Sequence, residues 1–399
     1  MTDRTRAAAD AISSTEPIWT MQSTLAAVLA ARGVQGKILL HAGPPFKDAG
    51  SIPPPVINSL LQAVIFEGWA TGAEQAKQLL ESGTVRIEPA QDHDCVVPLA
   101  GVISPSMAMH VIEDQITGAI AYAVINEGMT GCLRVGIMEQ GLVEHQNWLH
   151  GPYARWLADR VEDIGPVRLW PVLAQSLHEG DDGHNRTKAG SVLCAQMLLE
   201  SDDSVFRPQA KQFLEGASAF ALNLWMAAAA ISLRAAVTAG ESDAIVRVGG
   251  NGVEFGFQTA ARPGVWHVFP AAAPRGPLPA SFSGIPVLGA IGDSAVVDFF
   301  GLGGQALHHA PTTIQALGDY VPEKMDERPA LVMEIAHPHL PIRTGTSATR
   351  ITQAGTVPVV LLGMIEAQGL EGRIAGGAYE PPIGEFAQVS LGHASTPVG

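Results

Sequence analysis

The sequence predicts an α+β protein in which mixed α/β domains flank a helical insert: residues 17–165, a helical domain over 166–240, and 241–399. Three observations point there. The chain has 399 residues, 47% of them hydrophobic, which is enough for a large buried core. Apolar residues recur at helical spacing between about 166 and 240 and in short β-leaning runs on either side. The 43 glycines and 28 prolines imply many tight turns and loops lined by backbone.

In chain order, residues 1–17 are polar and read as a frayed end, and 20–32 has the periodicity of an amphipathic helix stopped by Gly33. A strand over 37–40 runs into His41-Ala-Gly-Pro-Pro-Phe46, and Pro53-Pro-Pro55 opens an apolar helix that ends near Glu67 and Gly68. A strand, a Gly/Pro loop and a helix opening on proline bring a ligand to a helix N-terminus, although this loop lacks the lysine of a P-loop. Glu67 between Phe66 and Trp69 reads equally as a desolvated carboxyl or as a residue at a helix end.

A strand over 84–88 leads to Pro89-Ala-Gln-Asp-His-Asp-Cys95, a polar cluster containing His93. Two apolar runs, 107–112 and 119–125, flank Asp114-Gln-Ile-Thr-Gly118, a hairpin pattern. The second delivers Asn126 and Glu127 ahead of Gly128, and Arg134 follows on a short strand. A carboxylate and an amide at a strand's C-terminal end suit a ligand site in an open α/β sheet, and equally a plain turn. Residues 140–163, with Trp148, Tyr153 and Trp156, read as one amphipathic helix.

The densest polar stretch is Leu177-His-Glu-Gly-Asp-Asp-Gly-His-Asn-Arg-Thr-Lys-Ala189, in a chain only 16% charged. It lies between two helical patterns, so Gly180 ends one helix and Asp181 or Asp182 caps the next. Capping accounts for one carboxylate. It leaves His178, His184, Asn185 and Arg186, which supply two proton carriers, a neutral donor/acceptor and a cationic fork. A metal held by His178, Asp182 and His184 ranks below acid/base or anion-binding work, because the spacing fits no zinc pattern. No cofactor is called for.

Downstream, 208–216 and 217–239 read as helices. The most apolar run, 220–233, contains Asn223 and falls short of the roughly 18 residues a membrane span needs, so it reads as a buried helix. Beyond 240 the pattern turns to strands, at 244–248 and 253–259 around Gly249-Gly-Asn-Gly252, then at 265–269. The glycines of 301–306 approximate a dinucleotide fingerprint without the surrounding βαβ context, and Asp293-Ser294 is the better polar candidate there. Strands at 357–364 and 373–379 and a short helix close the chain.

A net charge of −15 excludes a nucleic-acid footprint or attraction to an anionic membrane surface and favours small molecules or proteins as partners. The three cysteines Cys95, Cys132 and Cys194 form no Cys-x-x-Cys pair, which suits a reducing cytoplasm. Cys95 beside His93 reads as a nucleophile or, more in keeping with its type, as a buried thiol. The N-terminus lacks the apolar region of a signal peptide. The hydrophobic content suits an apolar contact in a homo-oligomer.

Several blocks are familiar in their order: Leu40-His-Ala-Gly-Pro-Pro45, Glu67-Gly-Trp-Ala70, Pro98-Leu-Ala-Gly-Val-Ile-Ser-Pro-Ser-Met107, Asn126-Glu-Gly128, Leu177-His178, Gly180-Asp-Asp-Gly-His-Asn-Arg186, Gly292-Asp-Ser294 and Gly301-Leu-Gly-Gly304. From about residue 17 to 390 the chain resembles a bacterial family, long a domain of unknown function, that includes the G-type subunit of oxamate carbamoyltransferase. The resemblance implies a cytoplasmic α+β protein with a helical insert, working beside other subunits. It also implies chemistry on a carbamoyl or ureido group, oxalurate plus phosphate giving oxamate plus carbamoyl phosphate. Where the family carries a cysteine and consecutive histidines after Pro89, this chain keeps only His93. The family's Arg-Asn-Gly is Gly250-Asn-Gly252 here, and its Asp-Glu pair is Asp181-Asp182.

Such chemistry needs proton carriers and cations together with neutral donors for an oxyanion. The catalytic candidates are Glu67, His93, Glu127, His178, Asp182 and His184. The substrate-binding candidates are His41, Asn126, Arg134, Asn185, Arg186, Asn251, Asp293 and Ser294. Three readings follow: a carbamoyltransferase-like enzyme, an amidohydrolase that cleaves a small amide, imide or ureido acid with water, and a non-catalytic ligand-binding subunit of a carbamoyltransferase complex. The lost cationic fork at Gly250 suits hydrolysis, which needs fewer anion contacts than transfer to phosphate.

Overall fold

The helix Phe220–Thr238 is the axis of the molecule. It is apolar all round, and such a helix must be covered on every side. In the computed structural model, which describes residues 2–390, two sheets and several helices cover it. One side meets the strands Ala108–Asp114 and Ile120–Val124, the other meets Ile245–Asn251, and the helices Asp3–Ser13, Lys188–Leu199 and Ala295–Phe300 close the remaining flanks. At 19 residues it is long and apolar enough to cross a membrane by length and composition, and 83% of its most apolar window is buried inside the fold. It matches the helix expected over 217–239 to within three residues, and the expectation that its apolar run is buried holds.

The α+β class holds. A five-stranded sheet runs in the order Cys95–Val96, Ile120–Val124, Ala108–Asp114, Pro17–Thr24, Val167–Arg168. The expected hairpin is its centre, and Asp114 closes it by accepting the Thr117 N–H at 3.1 Å and the Glu16 N–H at 2.7 Å. A four-stranded antiparallel sheet runs His267–Pro270, Glu254–Thr259, Ile245–Asn251, Ile291–Gly292. In a third sheet Ile38–His41 and Arg86–Pro89 are parallel, joined through the helices Pro54–Phe66 and Ala73–Glu81. The strands Val360–Ile365 and Arg373–Tyr379 form a separate hairpin.

Three local expectations are corrected. Residues 3–13 form a helix, because Ala8, Ala9 and Ile12 fall on one face and bury against the axial helix. The amphipathic helix expected from residue 20 is instead the end of the strand Pro17–Thr24, paired along its length with Ala108–Asp114, and only Leu25–Ala31 is helical. The single helix expected over 140–163 is Leu142–Trp148 and Ala154–Ile164 separated by a π turn at Leu149–Tyr153. Pro152 within that turn has no N–H for the regular ladder.

The principal hydrophobic core runs from Ala8 to Phe386 and draws on all three segments expected as domains, so tight packing couples them. The loop after His41 docks on the four-stranded sheet, where a Cβ at Gly43 (φ +75°) would sit 2.3 Å from the Gly250 carbonyl carbon. Only glycine permits that approach, which brings the loop after His41 and the strand Ile245–Asn251 into direct contact.

Candidate functional site

Segments distant in the chain meet around a cleft of about 360 Å³, walled by the Pro98-Leu99 turn, Asn126, Arg134, His184-Asn185, Asn223, Ser294 and the 361–373 hairpin. Leu99 holds φ +50°, a conformation that costs a non-glycine residue about 1 kcal/mol or more and concentrates at functional sites. The turn is tied to its neighbour by the Ala100 N–H, which donates to the Arg134 carbonyl at 3.0 Å.

Glu127 organises the wall behind Arg134. It is buried and accepts the Leu133 N–H at 2.7 Å, the Arg134 N–H at 3.1 Å and the Gln146 amide at 3.0 Å, with the Arg134 guanidinium at 3.5 Å. Its neighbour Asn126 is equally committed: its amide donates to the Ala219 carbonyl and to Asn223, both at 2.9 Å, and its oxygen accepts the Gly128 N–H. These two shape the site, leaving Arg134 as the group that reaches the cleft.

The dense stretch folds as a tight loop between the helices Leu169–His178 and Lys188–Leu199, after Gly180 at φ +94°. The N-cap position of the second helix is Thr187, whose side chain makes no capping bond; Asp181 acts there from the loop, accepting the first-turn Gly190 N–H at 2.9 Å, and also accepts Ser176 Oγ–H at 2.7 Å. Asp182 accepts the His184 N–H at 2.8 Å, the Arg186 N–H at 3.2 Å and Thr313 Oγ1–H at 2.7 Å. Burial pushes the Asp182 carboxyl above the usual range against those donors. Both carboxylates thus serve to turn the chain so that His184 faces inward.

His184 Nδ1 pairs with Asp298 Oδ2 at 2.6 Å. The other Asp298 oxygen accepts the Gly304 N–H at 2.9 Å and the Leu361 N–H at 3.2 Å. Complete burial pushes the Asp298 carboxyl up, and the His184 charge acts against that. With Nδ1 occupied, Nε2 is the ring nitrogen left for a ligand in the cleft, the arrangement of an oriented acid/base histidine.

Asp293 lies behind Ser294 and gathers three segments: it accepts the Gly43 N–H at 2.9 Å, the Gln91 amide at 2.6 Å and the Val97 N–H at 3.0 Å. Burial pushes its carboxyl up to about 7. Ser294 itself lines the cleft, and its hydroxyl has no hydrogen bond among the described residues.

The structure therefore brings Asn126, Arg134, His184, Asn185 and Ser294 to one cleft, with Glu127, Asp182 and Asp293 directly behind its walls. Other sequence candidates lie elsewhere. Glu67 accepts Ser104 Oγ–H at 2.6 Å and the Ser106 N–H at 2.7 Å, fastening a turn. His93 pairs with Glu88 at 2.7 Å. His41 packs against Phe46 with ring centroids 4.5 Å apart and the planes tilted, and burial draws it down to about 4. Asn251 accepts the Val253 and Glu254 N–H groups and donates to the Pro44 carbonyl, holding the turn.

His178 ends its helix exposed to solvent, so it does not join Asp182 and His184 as a ligand set. Arg186 is half-buried with its Nε 3.6 Å from Asp181. Cys95 is fully buried and its thiol is pushed up by that burial, the inert outcome for a thiol.

Sequence reasoning missed Asp298, Asn223, Leu99 and Arg373. A signal existed for Asp298, a lone carboxylate in the apolar run Ala295-Val-Val-Asp-Phe-Phe300. Arg373 carried none.

Comparison with known proteins places the chain in context. The family model of oxamate carbamoyltransferase subunit AllG matches residues 85–294. The chain is 31% identical over 388 residues to the uncharacterized protein YahG of Escherichia coli (strain K12), covering 90% of this chain and 79% of that protein. It is 27% identical over 376 residues to oxamate carbamoyltransferase subunit AllG of the same organism, covering 89% and 88%. The crystal structure of a conserved protein of unknown function from Enterococcus faecalis V583 superposes with a TM-score of 0.90 at 26% identity, over 97% of this chain and 96% of that one.

Proposed function

The chain belongs to the family of oxamate carbamoyltransferase subunit AllG, and from that premise we propose that its cleft binds a small acid bearing a carbamoyl, ureido or amide group and serves carbamoyl transfer. One observation carries the reading: the His184–Asp298 pair stands in the wall of a cleft shared with Arg134, Asn185 and Ser294.

The groups meet the needs of breaking a carbamoyl C–N bond. An oxygen nucleophile, a phosphate oxygen in transfer, bonds to the carbamoyl carbon. The carbonyl oxygen takes up negative charge and is met by neutral donors, the Ser294 hydroxyl and the Asn185 amide. As the tetrahedral species collapses, the C–N bond breaks and His184 Nε2 gives a proton to the departing nitrogen. Asp298 steadies the imidazolium that precedes this step. Arg134 balances the anionic part of the ligand.

A second reading is supported by the AllG relative being a subunit: the chain holds the ligand and turns over only with a partner chain. Purified protein assayed on carbamoylated small acids with and without phosphate separates these. Strict dependence on phosphate supports transfer, turnover without it supports hydrolysis, and saturable binding with no turnover supports the subunit reading. Absence of binding to any such acid rejects the proposal.

A further inference from the structure

Arg373 opens the strand Arg373–Tyr379, yet its side chain folds back over its own hairpin. Its Nε donates to the Ala375 carbonyl at 3.3 Å. A Cβ built at Gly363 would meet Arg373 Nε at 3.0 Å and Cδ at 3.1 Å, and one built at Gly376 would meet Nη2 at 3.4 Å. Gly363 and Gly376 are cross-strand partners in register. A Gly–Gly pair in the middle of a two-stranded hairpin forfeits the side-chain contacts that stabilise strand pairing. What it provides here is a bare floor, flat enough for a guanidinium plane.

The same floor supports a second polar group. The Cβ position of Gly376 lies 3.3 Å from Asn185 Oδ1, so Asn185 and Arg373 meet over one glycine at the edge of the cleft. Arg134 lines that cleft as well. Partial desolvation, followed by the charge of Arg134, draws the Arg373 guanidinium below its usual range, so the two cations feel each other. Arg134 has Glu127 at 3.5 Å; among the described residues Arg373 has no carboxylate at ion-pair distance. Arg373 is exposed to solvent, and with Arg134 it sets two guanidinium groups on one cleft against a single lining carboxylate residue, Glu371; in a chain of net charge −15 that excess of cation marks a place for an anion.

Resting on the reading of this cleft as the ligand site, we infer that Arg373 is its specificity-determining residue: laid on the Gly363–Gly376 floor, it grips with Arg134 the anionic end of the ligand, a carboxylate or a phosphate, while Asn185 stands between that end and the carbamoyl group. The carbamoyl end then lies toward His184 and Ser294 on the adjoining wall. The paired glycines are part of the device, because any side chain there lifts the fork.

Calorimetric titration of the full chain with oxamate, and separately with inorganic phosphate, tests this. Wild-type protein is expected to bind at least one. Arg373→Gln should weaken that binding about 10- to 100-fold, the range for one charge-assisted contact. Gly376→Val, which keeps every charge and only fills the floor, should weaken it comparably, and Arg373→Lys should recover part of the affinity but lack the fork. Melting temperatures should stay near wild type. Loss for oxamate alone assigns Arg373 to the carboxylate, and loss for phosphate alone assigns it to the phosphate. If wild type binds and Arg373→Gln binds equally well, the inference falls while the cleft stands as the site. If wild type binds neither anion, the reading of the cleft falls and takes the inference with it.

Discussion

His184 Nδ1 and Asp298 Oδ2 lie 2.6 Å apart although the two residues are 114 positions apart in the chain. That one carboxylate also accepts backbone N–H groups from Gly304 and Leu361, so the loop of His184, the helix Ala295–Phe300 and the hairpin strand Val360–Ile365 are registered to each other through it. The proton carrier of the cleft is thus oriented by the contact that assembles its walls.

His184→Ala should lower turnover by about 100-fold or more, the usual contribution of a positioned acid/base group, while ligand affinity changes less. His178→Ala, six positions earlier and exposed, should leave turnover, affinity and melting temperature at wild-type values. Steady-state kinetics on the two variants decides, and equal losses in both would contradict the assignment.

Asp298→Asn removes the negative charge but keeps the volume. Turnover should fall by about 100-fold or more, as for a histidine left in the wrong tautomer. With the amide nitrogen turned to His184, the amide oxygen keeps the Gly304 and Leu361 N–H groups, so the stability lost in urea denaturation should be only about 1 kcal/mol.

Glu127→Gln should loosen the segment that carries Arg134, since one carboxylate accepts Leu133, Arg134 and Gln146 together. A loss of about 3 kcal/mol in stability and weaker ligand binding are expected, because a buried cation loses its partner. Hydrogen exchange confined to residues 128–136 would locate the effect. An unchanged exchange pattern would argue against this role.

Acid should destabilise the fold below the ordinary histidine range. Burial draws His110 and His150 down to about 3 from 6.5, so between those values the unfolded chain takes up protons that the folded chain refuses. Stability is therefore lost as pH falls through 6.5 and levels off near the folded values, with a slope of up to about 1.4 kcal/mol per pH unit for each histidine. Asp293, raised to about 7, acts in the opposite direction over much of the same window. The readout is accordingly the difference made by His110→Phe, a ring for a ring between Trp19 and Phe220, which should flatten the slope by one histidine.

Gly43→Ala should destabilise by about 4 kcal/mol or more, since its Cβ would fall 2.3 Å from the Gly250 carbonyl carbon at φ +75°. Gly33→Ala, at φ +69° with open space around it, should cost only about 1–2 kcal/mol. Comparable denaturation midpoints for the two would show that the loop does not dock on the sheet as described.

Residues 107–125 show what local chemistry settles. Apolar, β-leaning runs on either side of Asp114-Gln-Ile-Thr-Gly118 are a hairpin pattern, and the hairpin is there, closed by the Asp114 carboxylate. The buried character of 220–238 is equally local, because a helix without a polar face has no other place to go. The opposite holds for 3–13 and 17–24. An Ala-rich polar stretch is a helix only because the axial helix covers Ala8 and Ile12, and 17–24 is a strand only because 108–114 lies beside it.

By itself the sequence determined the α+β class, the turn of the 177–189 stretch between two helices, and the presence of scarce polar groups at His184, Arg134 and Ser294. Tertiary structure alone decided which of them share a cleft: it left His178 in solvent, committed Glu67 and Asn251 to turns, and brought Asp298 and Arg373 to the site. The reason is physical. Capping and periodicity act over a few residues and are written in composition, whereas the direction a side chain faces depends on contacts closed across hundreds of positions, where spacing along the chain carries no information.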